Sequence, residues 1–364
     1  MTAPHPALLH LIVGEEARHV DAEDDFLSST AEHRMGAVVL AALSAGKIQL
    51  SPDAALTLGM WALAERRRHV VFWETIRDVI DRLGRINVGA AIVKGVATEA
   101  RWYDEIGQRV CTDVDLLIAP DTFDDIGQVV DALDPDRGSG SSIEWLVRRR
   151  MLQHVDLRVG PVQVDLHLDP FKVGLPTRQL GEIWASMSTI DRGHGAIQVL
   201  RPEVELVLLL LHLNKDRFAF LGTFLDIRQI LERATIDWAY LRAFVTEEGF
   251  EVIVWKSLAT VASVLALDVD IPPVRGPRSL TWDLLWSRGS ILGGYEGRDR
   301  APSIQRLLPY HARRRFGDML REASRQLIPP RQLIEVAGRL DPDSSYLKYL
   351  TVDRFRADSE TGRL

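Results

Sequence analysis

The chain has 364 residues, 46% hydrophobic and 26% charged, which is ordinary globular composition with material for two or three modules. Its net charge of −7 gives no global attraction for nucleic acid or an anionic membrane. A single cysteine, Cys111, excludes a disulfide framework and a cysteine-based zinc site.

Residues 1–85 read as helical. The short apolar stretch 8–13 runs straight into Glu15, Glu16 and Arg18, which does not fit a signal peptide. Apolar residues then recur at three- and four-residue spacing over 34–43 and 54–83. Ser51-Pro52-Asp53 starts the second helix, with Ser51 as N-cap and Pro52 at the first helical position. Arg66, Arg67, Arg68, Arg77 and Arg82 interleave with its apolar positions, which predicts an amphipathic helix with a solvated basic face.

Over 86–200 the pattern changes to short β-like runs separated by helices. Residues 88–93 form a buried strand candidate ending at Lys94-Gly95, followed by a helix over 96–104. A strand over 113–119 leads into a helix from Pro120 to Leu133 and a turn-rich loop over 135–142. Runs 153–159 and 162–168 alternate on either side of Gly160-Pro161, a hairpin signal. From 201 the chain is helical again, with helices over 203–213, 223–233, 238–248 and 252–267. A Pro/Gly/Arg-rich connector follows at 271–278. The basic stretch 298–331 reads as a solvated helix face, and the polar tail after Tyr349 as frayed. The longest apolar run, 204–211, is broken by Glu205 and ends at His212, far short of a membrane span. These patterns predict a soluble, cytoplasmic α+β protein: a helical region over 1–85, a mixed-sheet domain over 86–200 and a helical region over 201–364.

The chemistry gathers on three carboxylates. Asp113 and Asp115 are two residues apart in Thr112-Asp113-Val114-Asp115, so on a strand they share one face. Like charges held that close are costly unless a cation lies between them, and Mg²⁺ is held by one or two carboxylates plus substrate phosphates. In the hairpin's second arm Gln163, Asp165 and His167 share one face, with Val162, Val164, Leu166 and Leu168 on the other. If that arm lies beside the 113–119 strand, Asp165 joins the pair, and three carboxylates can hold two Mg²⁺ or Mn²⁺ ions for phosphoryl transfer. Lys94-Gly95 sits at a strand-to-helix junction, where a close backbone approach and free N–H donors suit a phosphate. Arg109 could neutralise a triphosphate through bidentate contacts. Lys215, at the end of an apolar helix with His212, could touch a phosphate, and His167 could orient Asp165 or bind substrate. Asp226 is expected to hold its helix and the preceding one together by binding an Arg or His.

Lys94-Gly95, Tyr103, Arg109 and Thr112-Asp113-Val114-Asp115-Leu116-Leu117 together resemble the hallmark of an uncharacterised nucleotidyltransferase family. That family belongs to the DNA polymerase β-like nucleotidyltransferase superfamily. Val164-Asp165-Leu166-His167 is similar to its later Val-Asp-Leu-His element, and Leu211-His212-Leu213 and Asp226-Ile227-Arg228 resemble its following helical segment. The resemblance covers roughly residues 85–235. It implies a nucleotidyltransferase-like mixed sheet flanked by helices, with Asp113 and Asp115 binding two Mg²⁺ ions. Asp165 would complete the site and help activate the acceptor. Lys94, Gly95, Arg109, Thr112 and Lys215 would belong to the nucleotide-binding set, with His167 and His212 near the substrate. One departure is that Lys94-Gly95 lies further upstream of the acidic pair than the superfamily's usual Gly-Gly or Gly-Ser.

The expected reaction is metal-dependent transfer of a nucleoside monophosphate from an NTP such as ATP to a hydroxyl-bearing acceptor, with release of pyrophosphate. A small molecule, a peptide or protein, or a tRNA end would all suit as acceptor, and no membrane partner is expected. Two rivals remain open: an inactive nucleotide-binding or interaction module of the same fold, and a glycosyltransferase using Asp-x-Asp on a nucleotide sugar.

Overall fold

The computed structural model describes residues 3–17, 19–135, 154–171 and 177–275, with residues 282, 331, 345–348 and 351 beyond. The expected loop over 135–142, the basic stretch 298–331 and the tail lie almost wholly outside the described residues.

The chain opens with four helices, α1 (Pro6–Ile12), α2 (Glu23–Glu32), α3 (Gly36–Ser44) and α4 (Pro52–Arg85). At 34 residues α4 is about 51 Å long. Its start is as expected: Ser51 Oγ accepts from Ala54 N–H at 3.3 Å, and Pro52 occupies the first helical turn. Glu23 reaches across from α2 to accept from Ser51 N–H and Oγ–H at 2.7 and 2.5 Å, so the cap also pins two helices together. Phe72, Trp73, Ile76, Val79 and Leu83 are buried, while Arg66, Arg67, Arg68 and Arg77 are exposed, which is the amphipathic arrangement expected. The sequence pattern did not resolve α1 or α2, whose apolar positions are too few to establish a period.

Next come β1 (Ala90–Val93), α5 (Gly95–Trp102) and β2 (Val114–Ile118). The single helix expected over 120–133 is instead a 3₁₀ segment, Pro120–Asp125, followed by α6 (Ile126–Leu133). Thr122 explains the difference: its N–H and hydroxyl both donate to Ala119 carbonyl, at 3.1 and 2.6 Å, tightening the first turn. The hairpin forms as expected, β3 (His154–Val159) and β4 (Val162–His167). A short helix α7 (Leu180–Ala185) and a second hairpin, β5 (Ser188–Asp191) and β6 (Ala196–Val199), were not read from sequence. Four-residue strands carry too little alternation to stand out. Four helices follow: α8 (Pro202–Lys215), α9 (Leu221–Arg233), α10 (Trp238–Glu248) and α11 (Glu251–Leu265).

The six strands among the described residues form one mixed sheet in the order β3-β4-β2-β1-β6-β5. β2 pairs parallel with β4 and antiparallel with β1, and β1 pairs parallel with β6. Alternation along the strands divides the packing. Val114, Leu116, Ile118, Val164 and Leu166 join one apolar cluster with α4 and α6. Ala91, Val93 and Leu117 face a second cluster that contains α8, α9 and the N-terminal helices. The flanking helical regions therefore share one core on the face that carries the carboxylates. Gly222 N–H donates to His33 carbonyl at 3.1 Å, and Arg228 Nη1 to Ile12 carbonyl at 2.8 Å. α8 is buried almost all round, as expected of a helix covered on every side. Its Glu205 is buried too, and accepts from Thr98 Oγ1 at 2.7 Å and Trp102 Nε1 at 2.9 Å.

Candidate active site: an acidic sheet face

Sheet register assembles the site. β2 and β4 align Asp115 directly opposite Asp165, while β1 sets Val93 opposite Asp115. Lys94, the next residue, therefore leaves the sheet beside the carboxylates. His167 lies opposite Leu117, diagonally across from Asp115, within reach for a side chain on the same face. Asp113 falls just before β2 rather than on it, half-buried, with Thr112 Oγ1 3.2 Å from its Oδ1.

Asp115 is the centre of this cluster. Its Oδ1 accepts from Lys94 Nζ at 2.7 Å and lies 2.6 Å from His167 Nε2, with all three residues buried. A carboxylate oxygen only accepts, so His167 Nε2 carries the proton in this bond. Burial alone would push Asp115 up, but the Lys94 ammonium and His167 outweigh it and hold the carboxyl far below the usual carboxylate range. Asp113 moves the other way: burial, then the charges of Asp115 and Asp165, push it up. That repulsion is what a bound cation would relieve. Asp165 accepts from Gln163 Nε2 at 3.0 Å. Asp115, Asp165 and His167 bring one donor atom each within 4.8 Å of one another, a set able to hold a metal ion.

Lys94 reaches this position at a conformational cost. Its φ of 52° and ψ of −146° lie in a region that favours glycine, where strain is about 1–3 kcal/mol. Gly95 opens α5 behind it, its Cα side close to Asp113 carbonyl and Arg109. The last turn of α8 supplies the far wall. His212 Nε2 is 3.2 Å from Asp216 Oδ2, and burial followed by the Lys94 and Lys215 charges pushes His212 down to about 3. His212 is therefore neutral at pH 7. Lys215 is exposed beside it. Arg34, from the turn between α2 and α3, stacks over Phe220 at 4.2 Å, and its charge is felt at Asp216. No local pattern around Arg34 marks it in the sequence, because only tertiary packing brings that turn to α8.

Arg109, considered for a nucleotide-facing role, is engaged by the buried carboxylate of Asp226. Its Nε donates to both oxygens of Asp226, at 3.0 and 2.9 Å, and its Nη1 is 3.2 Å from Cys111 Sγ. Tyr103 Oη donates to the same Asp226 at 2.8 Å. Asp226 thus binds an arginine, as expected, but ties α9 to the loop before β2 rather than to the neighbouring helix. A cavity of about 230 Å³ lies nearby, lined by Thr30, Arg34, Trp61, Glu65, Arg68 and Val110.

A mixed sheet that presents two carboxylates in register beside a third, flanked by helices, is the frame of a nucleotidyltransferase, a transferase of phosphorus-containing groups. Residues 20–266 match the model of the uncharacterised nucleotidyltransferase family, and the chain belongs to that family. No curated protein matches it. Among solved structures it is similar to an antigenic nucleotidyltransferase-like protein from Paracoccidioides brasiliensis, at 16% identity. That likeness covers 54% of this chain and 93% of the other, with a TM-score of 0.32. No described helix is long and apolar enough to cross a membrane.

Proposed function

We propose that this chain transfers a nucleoside monophosphate from an NTP to a hydroxyl-bearing acceptor, releasing pyrophosphate. The observation that carries the reading is the parallel register that sets Asp115 against Asp165, with Asp113 two residues before Asp115. Asp113, Asp115 and Asp165 are the residues to hold Mg²⁺ or Mn²⁺, and the raised Asp113 fits them to that task. When bound, a divalent ion stabilises charge on the α-phosphate and the leaving group. Asp165 accepts the acceptor's proton, while His167 and Lys94 keep Asp115 anionic and fixed in direction. Lys215 and Arg34 add positive charge at the outer wall, suited to a triphosphate. The cavity beside Val110 suits the acceptor, with an indole face and two guanidinium groups on its walls.

Transfer of label from α-labelled ATP, GTP, CTP and UTP, with Mg²⁺ or Mn²⁺ and a panel of small-molecule, peptide and tRNA acceptors, tests the reading. Absence of both NTP binding and labelled product would sink it. One observation favours a second reading, an inactive nucleotide-binding module: Lys94 already neutralises Asp115. NTP binding that needs Mg²⁺ but never yields product would select that alternative.

A further inference from the structure

We propose that the centre takes one divalent cation per chain, and that the Lys94 ammonium stands where a two-metal centre would carry its second. The inference rests on the nucleotidyl-transfer reading and departs from the two-ion expectation drawn from sequence.

Oxygen capacity is the first argument. A carboxylate oxygen has two lone pairs, and Asp115 Oδ1 already accepts from Lys94 Nζ and His167 Nε2. Oδ2 takes part in neither bond and is the oxygen left for a metal. Two ions about 3.5–4 Å apart need a carboxylate that gives one oxygen to each. With Oδ1 filled, Asp115 cannot bridge in that way.

Rigidity is the second. Lys94 lies between buried Val93 and buried Gly95, is itself 7% exposed, and has a backbone conformation that favours glycine. Such a conformation persists only where the surroundings over-determine it. A side chain meant to leave when a metal arrives would not need that fixation. Charge agrees: the Lys94 ammonium offsets one of the three carboxylates, and one divalent ion neutralises the other two.

The test counts metal. Full-length protein with a non-hydrolysable NTP analogue is titrated with Mn²⁺, and free Mn²⁺ is read by electron paramagnetic resonance. The inference expects one tightly held Mn²⁺ per chain in the wild type and in Lys94→Arg. It expects two in Lys94→Ala, whose fold is checked by circular dichroism. Two Mn²⁺ in the wild type would overturn the single-ion centre and leave nucleotidyl transfer standing. A count of one in folded Lys94→Ala would remove Lys94 from the role of second cation. No bound Mn²⁺ in any form would overturn both this inference and the metal-dependent reading beneath it. The wild-type count needs no variant, so a misfolded Lys94→Ala does not shield the idea.

Discussion

Replacing Asp226 by Ala leaves the Arg109 guanidinium buried without its carboxylate and deprives Tyr103 Oη of its acceptor. Removing one partner of a buried ion pair costs about 3–5 kcal/mol, because the remaining charge is left uncompensated. The orphaned phenol adds about 1–3 kcal/mol. A loss of about 4–8 kcal/mol is a large share of a total stability of about 5–15 kcal/mol. Urea unfolding followed by circular dichroism reads it directly. With a slope of about 3 kcal/mol/M, the midpoint falls by about 1.3–2.7 M. The double variant Arg109→Met/Asp226→Leu removes both charges and should recover most of the loss. A single variant that loses less than about 1 kcal/mol, or a double variant as unstable as the single, would refute the buried-pair argument. The double variant also separates architecture from ligand binding. If it folds stably yet loses NTP affinity, Arg109 contacts phosphate after all.

Asp165→Asn should lower transfer by about 10²–10⁴-fold, the usual weight of a positioned proton acceptor, with an unchanged melting temperature. Undiminished turnover would remove Asp165 from the chemistry. His69, buried beside Glu99, supplies a pH test. Burial opposes its charge, yet the neighbouring Cys111 and Glu99 raise it to about 10. A folded-state value above the unfolded one means stability that is complete below pH 6.5 and is lost as pH rises through about 10. The loss is on the order of 5 kcal/mol at most. Unfolding curves between pH 6 and 10 should steepen this decline in the wild type and flatten it in His69→Gln; parallel curves would refute the assignment. Ser51→Ala should cost about 1–2 kcal/mol, since it removes a helix cap and a bond to Glu23 together. A midpoint shift within error would show that the cap is dispensable.

Much of this was legible from residues alone. Helix α4, the helices after Pro202 and the hairpin around Gly160 each have a period or a stop signal that acts within a few residues. The shared strand face of Asp165 and His167 follows from alternation in the same way. The family resemblance on Lys94, the acidic pair and the Val-Asp-Leu-His element agrees with the family match over residues 20–266. What stayed hidden depends on register and on contacts between distant segments. Strands β5 and β6 are too short to signal themselves, and α1 and α2 gain their burial from helices late in the chain.

The sequence by itself picked out the three carboxylates and the face that Asp165 shares with His167 on β4, because side-chain alternation is a local property of the backbone. Only the tertiary structure decided what those carboxylates touch. Parallel pairing of β2 with β4 set Asp115 against Asp165, and the antiparallel β1 carried Lys94 to the same oxygen that His167 holds. It also drew Arg109 to Asp226, 117 residues along the chain. Contacts across such separations follow from how strands and helices pack, and no spacing within one segment encodes them.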